Sequence, residues 1–460
     1  MKKLILLAVI VGLIVPAAAY AKAEFSLGGY VKLEMVWDST QINRWLYYGV
    51  PRENTAGQHG RLKITAEQTR MNFTMKGPKV FGAQTSGFIE WGFDNASNQF
   101  PANGGWFGNS KARIGLRHAM FRLNWPDTEL MMGQYWSVMT EEIPETANFG
   151  AATSSGQPFL RIAQVRLTQK FALGGGQTLA SVAVCAAEND LWGLAITNSQ
   201  WTVNANNQYD GESSETPMVQ GRVKWSKNMW GKAAYWGRPR PFSVRVAASY
   251  HRTRFRSGGL FAGRQFGNQG YVATTYVQSG QEYLDHWLVE GSVFVPIIGT
   301  QSANLAGTAS LLTQWFIGQG LEGFIEDLPN NSSYLTYSGF GGPGVPFGLA
   351  ERQLMKRFGG FVQLQYYITN QWYVQAVYAI NRAFDVDRNS WVGDDARSDP
   401  WRTNQQIYAT VYYRPIQALK FGLEYTYMRT DYFQSIAQGP TNNYNYGDNH
   451  RAMFCGYFFF

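Results

Sequence analysis

The chain ends on the segment Arg451-Ala-Met-Phe-Cys-Gly-Tyr-Phe-Phe-Phe460, which has the pattern of an alternating strand and stops on an aromatic residue. Successive side chains of a β-strand point to opposite faces. One face of this segment therefore carries an apolar stripe that runs to the carboxyl terminus: Phe454, Gly456, Phe458 and Phe460. At the edge of a soluble sheet such a stripe would invite pairing with another chain. A closed barrel in a membrane has no edge and can turn the stripe towards lipid, so the segment favours a transmembrane β-barrel.

The amino terminus has the pattern of a secretory signal peptide. Lys2 and Lys3 supply positive charge, residues 4–19 form an apolar run, and small residues follow it at Ala21 and Ala23. The run is shorter than the roughly 20 residues that a transmembrane helix needs. We expect residues 1–21 to be a signal peptide, cleaved after Ala21 or Ala23, and residues 22–460 to be one barrel domain.

The composition is unlike that of a soluble enzyme. Charged residues make up 16% of the chain, aromatic residues 15%, and 49 residues are glycine, whereas soluble domains average about 25% charged residues. Membrane barrels use aromatic girdles and glycine-containing turns, which accounts for both excesses. The net charge of +8 suits small anions or anionic lipid. No dense basic run is interleaved with aromatic residues, so we do not expect nucleic acid as a partner.

About sixteen segments have the length and alternation of barrel strands. They are 25–38, 61–75, 83–93, 111–124, 128–138, 160–171, 177–187, 216–226, 242–256, 283–296, 302–317, 352–368, 371–382, 403–414, 418–430 and 448–460. Long and short connections alternate between them, as in outer-membrane barrels, where turns are periplasmic and long loops extracellular. An even strand count puts both termini on the periplasmic side. Eighteen strands is an alternative, because 227–241 is long for a turn and 257–282 has room for another hairpin.

Charged side chains in these strands are expected to face the barrel interior. A charge on the lipid face costs about 2–4 kcal/mol at the midplane. In strand 111–124, for example, the alternation puts Arg113 and Arg117 on one face. The opposite, apolar face carries Leu116 and Met120, and His118 is also expected on a largely apolar surface. The register within 61–75 breaks, which predicts a bulge.

A basic wall and an acidic loop are the candidate functional site. Arg113 and Arg117 stand four residues apart, about 13 Å along the strand. The other candidate wall residues are Arg166, Arg245 and Arg70. Guanidinium groups pair well with carboxylates, so a wall of them would favour carboxylate solutes. The alternative is that these arginines are scattered charges without a common site.

The acidic loop is 139–159, which contains Glu141, Glu142 and Glu145. Folded inward, it would set carboxylates opposite the arginines and produce a transverse field across the channel. Folded outward, it would be an acidic surface loop. Its position after the fifth strand favours the inward arrangement.

Several segments resemble the DcaP-like branch of trimeric outer-membrane porins. They are Gly28–Glu34, Gln68–Phe73, Arg113–Ala119, Gly133–Ser137, Pro144–Gly150 and Arg161–Arg166. The resemblance covers about residues 25–170 and implies a sixteen-stranded, trimeric, passive channel that favours small anions such as dicarboxylates. It also implies a basic constriction at Arg113, Arg117 and Arg166, with Arg70 beside them. The chain departs from the family in lacking a periplasmic helical stalk before its first strand, and in having Arg161-Ile-Ala where Arg-x-Pro is commoner.

We therefore predict an outer-membrane porin for passive diffusion of small hydrophilic solutes, with a preference for anions. Expected partners are small anionic solutes, outer-membrane lipid and lipopolysaccharide, and two further copies of the chain. The terminal Phe458 and Phe460 also resemble the signal read by the barrel-assembly machinery. An alternative is a barrel that acts as a scaffold or conduit for a partner protein, for example an electron-carrying cytochrome.

We expect no enzymatic activity, cofactor or metal. The five histidines have no recognisable nucleophile beside them and no metal-ligand spacing. The acidic stretch 391–399 could bind calcium weakly, although a solvated loop is the commoner meaning of such a stretch. Cys185 and Cys455 could form one disulfide in an oxidising compartment or stay free.

Overall fold

The structure is a computed structural model. It describes residues 23–40, 42, 49–53, 59–93, 114–174, 178–189, 214–254, 260–262, 274–276, 283–321, 323–325, 333–337, 350–386, 401–433 and 445–460. The predicted signal peptide 1–21, Arg113 and the acidic stretch 391–399 lie outside these described residues.

The described residues form strands and a single short 3₁₀ helix. The strands are β1 (Glu24–Asp38), β2 (Arg61–Thr65), β3 (Arg70–Val80), β4 (Ala83–Gly92), β5 (Gly115–Asn124), β6 (Thr128–Trp136), β7 (Arg161–Leu173), β8 (Thr178–Ala187), β9 (Met218–Lys227), β10 (Ala233–Tyr235), β11 (Arg238–Arg240), β12 (Phe242–Arg254), β13 (Leu260–Ala262), β14 (Thr274–Tyr276), β15 (Tyr283–Ile298), β16 (Ala309–Gln319), β17 (Ser333–Tyr337), β18 (Ala350–Leu354), β19 (Lys356–Tyr367), β20 (Trp372–Phe384), β21 (Trp401–Ile416), β22 (Leu419–Tyr432) and β23 (Tyr446–Phe459). The helix is Ala151–Ser154. No helix of the described residues is long and apolar enough to cross a membrane.

A closed antiparallel barrel is built from seventeen of these strands. β2 and β3 both pair with β1 and together form one interrupted strand, so the barrel is sixteen-stranded. The last strand closes on the first, with pairs running from Tyr30↔Phe459 to Asp38↔Arg451. The predicted sixteen-stranded barrel is thereby confirmed. The segments that suggested eighteen strands instead form small two-stranded ribbons, β10–β11 and β13–β14, outside the barrel sheet.

The two faces of the barrel differ as period-two alternation requires. On β1, Phe25, Leu33 and Trp37 are 69%, 46% and 47% exposed, whereas Lys32 and Glu34 are fully buried. Around the sheet, the exposed large side chains of the outer face are mostly apolar, for example Val165 and Leu423. The buried inner positions hold charged side chains such as Glu290 together with apolar ones such as Phe294 and Phe361. The outer surface therefore suits a hydrocarbon environment, while the inner wall carries the buried charges.

The break between β2 and β3 covers residues 66–69, within the segment for which a bulge is predicted. It directs Gln68 into the interior, where this side chain is 1% exposed and donates to Asn148 Oδ1 at 3.2 Å. The interruption thus gives the wall a polar group that reaches a distant part of the chain.

A bulge at Arg117 corrects the face assignment for strand β5. Leu116 pairs with Trp91 and His118 with Glu90, so Arg117 is an extra residue in the ladder. The side chains after the bulge change face. His118 and Met120 are consequently 3% and 8% exposed rather than apolar-face residues, and the Phe121 side chain is 50% exposed instead.

The connections are sorted between the two ends of the barrel. One end, which we call the turn end, carries the start of β1, the end of β23 and short connections such as 81–82, 125–127 and 417–418. The other, the loop end, carries the long connections, including residues 137–160 between β6 and β7. Of the connections at the turn end, 228–241 between β9 and β12 is unusually long and contains β10 and β11.

Candidate functional site

Residues 137–160, which we call the crossing segment, lie inside the barrel. Glu142, Glu145, Thr153 and Gln157 are each at most 2% exposed, although their side chains are polar. A loop on the outer surface would leave such groups in water. Gln157 Nε2 donates to the carbonyl oxygen of Glu142 within the segment, at 3.2 Å, and Glu145 is bound by the barrel wall.

The close approach of the crossing segment to the wall depends on glycine. A Cβ atom placed on Gly156 would lie 2.1 Å from the carbonyl oxygen of Gly360 on β19. Gly150, with φ of 78°, precedes the 3₁₀ helix in a left-handed conformation that favours glycine. These two positions let the segment turn and then press its backbone against the wall.

Glu145 is the most completely bound carboxylate of the segment. Its carboxylate accepts hydrogen bonds from Lys420 Nζ and Tyr373 Oη at 2.6 Å, and from Gln365 Nε2 at 2.9 Å. Its backbone N–H also donates to Gln363 Oε1 at 2.7 Å. Residues of β19, β20 and β22 therefore fix this one residue.

The backbone beyond Glu145 is bound to the next part of the wall. Glu424 on β22 accepts from the N–H of Ala147 at 2.7 Å. The carbonyl oxygen of Ala147 accepts from Lys32 Nζ at 2.6 Å and from Tyr457 Oη at 3.2 Å. The crossing segment is thus held against β22, β23 and β1. We call the wall of β5 to β9 on the other side the uncovered wall; the segment reaches it at Ser137 and Glu141.

Glu142 is bound by a residue from the turn end. Arg240 on β11 donates to both carboxylate oxygens at 2.6 Å, in the bidentate arrangement. Burial acts to raise the pKa of Glu142, but the charge and hydrogen bonds of Arg240 outweigh it and hold that pKa below its usual value. The carboxylate therefore stays ionised through the neutral range.

Glu141 faces the uncovered wall. It pairs with Arg222 and Lys224, which are alternate residues of β9. Burial opposes ionisation here too, yet the charges of Lys224 and Arg222 depress the pKa of Glu141. The side chains of Glu141 and Lys224 are each 24% exposed, so water reaches this pair, unlike the deeper ones.

Two of the predicted wall arginines are engaged in ion pairs. Arg245 pairs with Glu290 at 2.6 Å and donates to the carbonyl oxygen of Val138 at 2.8 Å. Arg117 pairs with Glu90 at 2.9 Å. Neither guanidinium is a free charge in the lumen.

Arg70 and Arg166 have surroundings of a different kind. The Arg70 guanidinium lies 4.0 Å from the ring centre of Phe149 in the crossing segment, and Arg117 lies 5.9 Å from the same ring. Arg166 donates to the carbonyl oxygen of Trp136 at 3.4 Å, and no salt bridge joins it to a carboxylate among the described residues. The structure thus brings Arg70 and Arg117 together at Phe149 and leaves Arg166 and Arg245 elsewhere.

Arg166 belongs to a band of charged side chains on the uncovered wall, which we call the basic strip. The strip comprises Arg122, Glu129, Arg166, Arg222 and Lys224. Arg122 and Arg166 both lie opposite Met131 in the strand register, on either side of β6. The side chains of Arg122, Glu129 and Arg222 are 25%, 19% and 14% exposed, while those of the deep pairs Arg245–Glu290 and Lys32–Glu34 are 0–1% exposed.

Sequence reasoning missed Arg122, Arg222, Lys224, Arg240 and Lys420. Alternation in β9 would have identified two of them, because Val219 and Val223 are 51% and 55% exposed and Arg222 and Lys224 lie on the other face. No local signal identifies Arg240 or Lys420, since each meets its carboxylate across 98 or 275 residues of chain.

The remaining sequence candidates have these positions. Phe458 and Phe460 are 51% and 48% exposed on the outer face at the turn end. Cys185 and Cys455 are buried free thiols. No group of three or more His, Cys, Asp or Glu side chains arranged for a metal ion occurs within the described part of the chain.

The fold defines a class: a sixteen-stranded antiparallel β-barrel with a loop folded into its interior. No protein-family model matches the chain, and no curated protein sequence matches it. Among solved structures, the chain is similar to the outer-membrane channel DcaP of Acinetobacter baumannii, with 16% identity, 96% of this chain and 99% of that chain covered, and a TM-score of 0.60. It also aligns with an anion-selective porin from Comamonas acidovorans (10% identity, 95% and 100% coverage, TM-score 0.49) and with Salmonella typhi OmpF in complex with daunomycin (11%, 95% and 97%, 0.49). At these identities the likeness to DcaP establishes the fold, and the two weaker likenesses carry no further argument.

Proposed function

We propose that this protein is an outer-membrane porin through which small hydrophilic solutes diffuse passively, with a preference for anions. The observation that carries the proposal is the crossing segment, a polar loop bound inside a closed barrel whose outer face is apolar. It narrows the lumen and confines passage to the side that it leaves uncovered. A structural barrel would have no need of such a segment.

The anion preference rests on the charges that water reaches. The basic strip and Glu141, which faces it, contain four cationic side chains and two carboxylates: Arg122, Arg166, Arg222 and Lys224 against Glu129 and Glu141. The deep carboxylates Glu142, Glu145 and Glu290 are each paired with a cation of their own. Paired charges at contact distance largely cancel for a passing ion, so the excess positive charge of the strip determines the field in the passage.

Dicarboxylates are the solute class that this proposal favours. Guanidinium groups bind carboxylates bidentately. Several guanidinium groups along one path can bind the two carboxylates of a solute in succession as it moves through the channel. Arg166 is the leading candidate for direct contact, because Arg70 and Arg117 beside Phe149 are buried and Arg117 is paired with Glu90. Arg113, which the sequence also predicts in the wall, is retained as a candidate next to Arg117.

The test is the reversal potential of the purified protein in a planar bilayer under a potassium chloride gradient. We expect discrete conductance steps and an anion-selective potential. A cation-selective potential would overturn the anion preference, and silence from correctly folded barrels would overturn the channel function. Swelling of vesicles in succinate compared with a neutral sugar of similar size then tests the dicarboxylate preference.

A conduit for a partner protein finds no support in the lumen. The crossing segment occupies the space through which a cytochrome would have to pass, and Gly156 and Glu145 bind it to the wall. We likewise propose a channel rather than an enzyme.

We further propose that the chain assembles as a homotrimer. A groove of about 570 Å³ opens on the outer face of β1 and β3 to β6. It is lined by apolar and small residues that include Phe25, Met75, Gly87, Ile89, Phe121 and Gly133. Such a concave, glycine-containing surface suits contact with a second barrel. The mass of the detergent-solubilised particle tests this, and a monomeric mass would overturn it.

The proposal also includes the route to the membrane. Residues 1–21 would direct export, and Phe458 and Phe460 at the turn end would be read by the barrel-assembly machinery. The turn end with both termini would then be periplasmic, and the loop end would meet lipopolysaccharide. Protease accessibility of a tag inserted in a long loop of intact cells tests this orientation.

A further inference from the structure

The connection 228–241 folds into the barrel from the turn end. It forms a hairpin of β10 and β11, residues 233–240, which we call the turn-end hairpin. Ala233 and Ala234 are 0% and 2% exposed, and the carbonyl oxygen of Ala234 accepts from Ser310 Oγ on β16 at 3.1 Å. At its base, Lys232 and Thr300 exchange backbone hydrogen bonds of 2.8 Å. The hairpin therefore lies against the inner face of the barrel instead of projecting outward.

The tip of the turn-end hairpin reaches the opposite wall. A Cβ atom on Gly237 would lie 3.4 Å from Arg414 Nη1 on β21 and 3.9 Å from Tyr367 Oη on β19. Because the hairpin starts between β9 and β12, it spans the lumen from one side to the other. It lies on the turn-end side of the crossing segment.

The turn of this hairpin holds a tryptophan in an unfavourable conformation. Trp236 and Gly237 have φ of 51° and 73°, both positive. Hairpin turns with two positive φ values normally use Asn-Gly or Gly-Gly, and a bulky residue there is strained. Such strain persists only where the surroundings fix the residue, and it often accompanies function. Here Trp236 Nε1 donates to the carbonyl oxygen of Ile143 at 2.9 Å.

Three side chains of the hairpin hold two adjacent residues of the crossing segment. Tyr235 Oη accepts from the N–H of Ile143 at 3.1 Å, while Trp236 binds the carbonyl of the same residue. Arg240 holds both oxygens of the Glu142 carboxylate. Both polar groups of the Ile143 backbone and the neighbouring carboxylate are thus satisfied by the hairpin alone.

Arg240 is itself fixed in place. Its guanidinium packs against the rings of Tyr235 and Phe294, 4.7 and 4.8 Å from their centres. It also donates to Ser243 Oγ at 2.7 Å. A guanidinium stacked in this way can present its two N–H groups to a carboxylate without further ordering.

From these contacts we propose that the turn-end hairpin is a positioning element for the crossing segment. Arg240, Tyr235 and Trp236 hold Glu142 and Ile143 from the turn end, and so they set how far the segment stands from the basic strip. Because Glu141 directly precedes Glu142, release of this contact also displaces the carboxylate that faces Arg222 and Lys224. The inference deepens the proposed function, on which its consequence for conduction rests.

The first experiment compares Arg240→Ala with Arg238→Ala by hydrogen–deuterium exchange. Arg238 lies on the same hairpin and carries the same charge, but its side chain is exposed. Loss of two hydrogen bonds to a charged group should accelerate amide exchange in 141–149 by about tenfold or more in Arg240→Ala. Arg238→Ala should exchange as the wild type does.

Two further variants keep the proposal testable if Arg240→Ala folds poorly. Trp236→Gly removes the bond to Ile143 but relieves the strained turn, so the barrel should fold normally while 141–149 exchanges faster. Arg240→Lys keeps the charge without the bidentate geometry and should be intermediate. Exchange in Trp236→Gly and Arg240→Ala no faster than in Arg238→Ala would overturn the proposal.

Single-channel recording separates this inference from the channel function itself. We expect larger and noisier conductance steps in Arg240→Ala than in Arg238→Ala, because the segment no longer holds one position. If the wild type conducts and the two variants behave alike, the hairpin role fails and the porin stands. If the wild type shows no conductance but amides of 141–149 still exchange faster in Arg240→Ala, the porin function is refuted and the positioning role of the hairpin stands.

Discussion

Neutralising Arg166 should lower anion preference without disturbing the barrel. Arg166 is the suitable residue because no salt bridge joins its guanidinium to a carboxylate in the described part of the chain. Its substitution therefore leaves no unpaired buried acid, a cost that Arg245→Gln or Arg117→Gln would incur through Glu290 or Glu90. Arg166→Gln keeps most of the volume and the hydrogen-bonding capacity.

The magnitude follows from the distance between the guanidinium and a passing ion. For a separation of roughly 8 Å, one unit charge contributes about 0.5 kcal/mol at the dielectric constant of water and about 2 kcal/mol at an effective value of 20. Since 1.4 kcal/mol is a factor of ten, the anion permeability should fall by about two- to thirtyfold. The same charge repels cations, so the ratio of anion to cation permeability should fall by the square of that factor, about sixfold or more. The larger values apply if the passage is narrow and poorly hydrated.

The assay is the reversal potential in a planar bilayer under a tenfold potassium chloride gradient. The matched control is Arg252→Gln, which removes the same charge from an exposed pair with Asp285 on the outer face. The control should keep the wild-type potential. An Arg166→Gln channel that conducts with an unchanged potential would refute the assignment of the basic strip as the selective surface.

Three further outcomes are expected. Lys420→Met leaves Glu145 buried without its cation and should lower the free energy of unfolding, measured in urea, by about 3–5 kcal/mol. Adding Glu145→Gln to Lys420→Met should recover most of that loss. Equal stabilities of the single and the double variant would contradict the pairing. Gly156→Val places a side chain where a Cβ lies 2.1 Å from the Gly360 oxygen, so it should detach the crossing segment and raise single-channel conductance. The control Gly221→Val, whose Cβ would lie 3.9 Å from the nearest atom, the carbonyl oxygen of Ala183, should not change conductance. Glu141 and Glu142 have folded pKa values below the usual 4.5, so their ion pairs stabilise the segment above pH 4.5 and are lost only as the pH falls through the depressed pKa values. Amide-exchange protection of 141–149 should therefore stay constant from pH 7 to 5. A loss of protection within that range would count against these pairs.

Alternation was sufficient to predict the barrel. A strand that separates lipid from a polar interior must repeat every two residues, and the segments from Phe25 to Trp37 and from Arg451 to Phe460 follow that period closely. The prediction fails locally at Arg117, because one inserted residue reverses the faces of everything that follows it. His118 and Met120 were misplaced for this reason alone.

The candidate site was less predictable, because its contacts are long-range. Glu141, Glu142 and Glu145 are recognisable from the sequence as an acidic cluster, but their partners lie on β9, β11 and β22. Nothing near Lys420 or Arg240 in the sequence indicates which carboxylate each will meet. The sequence indicated the hairpin that contains Arg240 only as a connection, 227–241, that is long for a turn.

The three carboxylates of the crossing segment differ in their effects: two contribute mainly to stability and one to ion selectivity. Glu142 and Glu145 bind cations in places that water scarcely reaches, so those pairs hold the segment but contribute little field to the passage. Glu141 alone faces the strip, where it lowers the positive excess that attracts anions. Removing the whole pair with Glu145→Gln and Lys420→Met should therefore leave the reversal potential almost unchanged. Glu141→Gln, which removes one negative charge from the passage, should strengthen anion preference. The opposite result, a potential that moves with Glu145 and not with Glu141, would mean that ions pass on the far side of the segment, beside Lys420 and Tyr373.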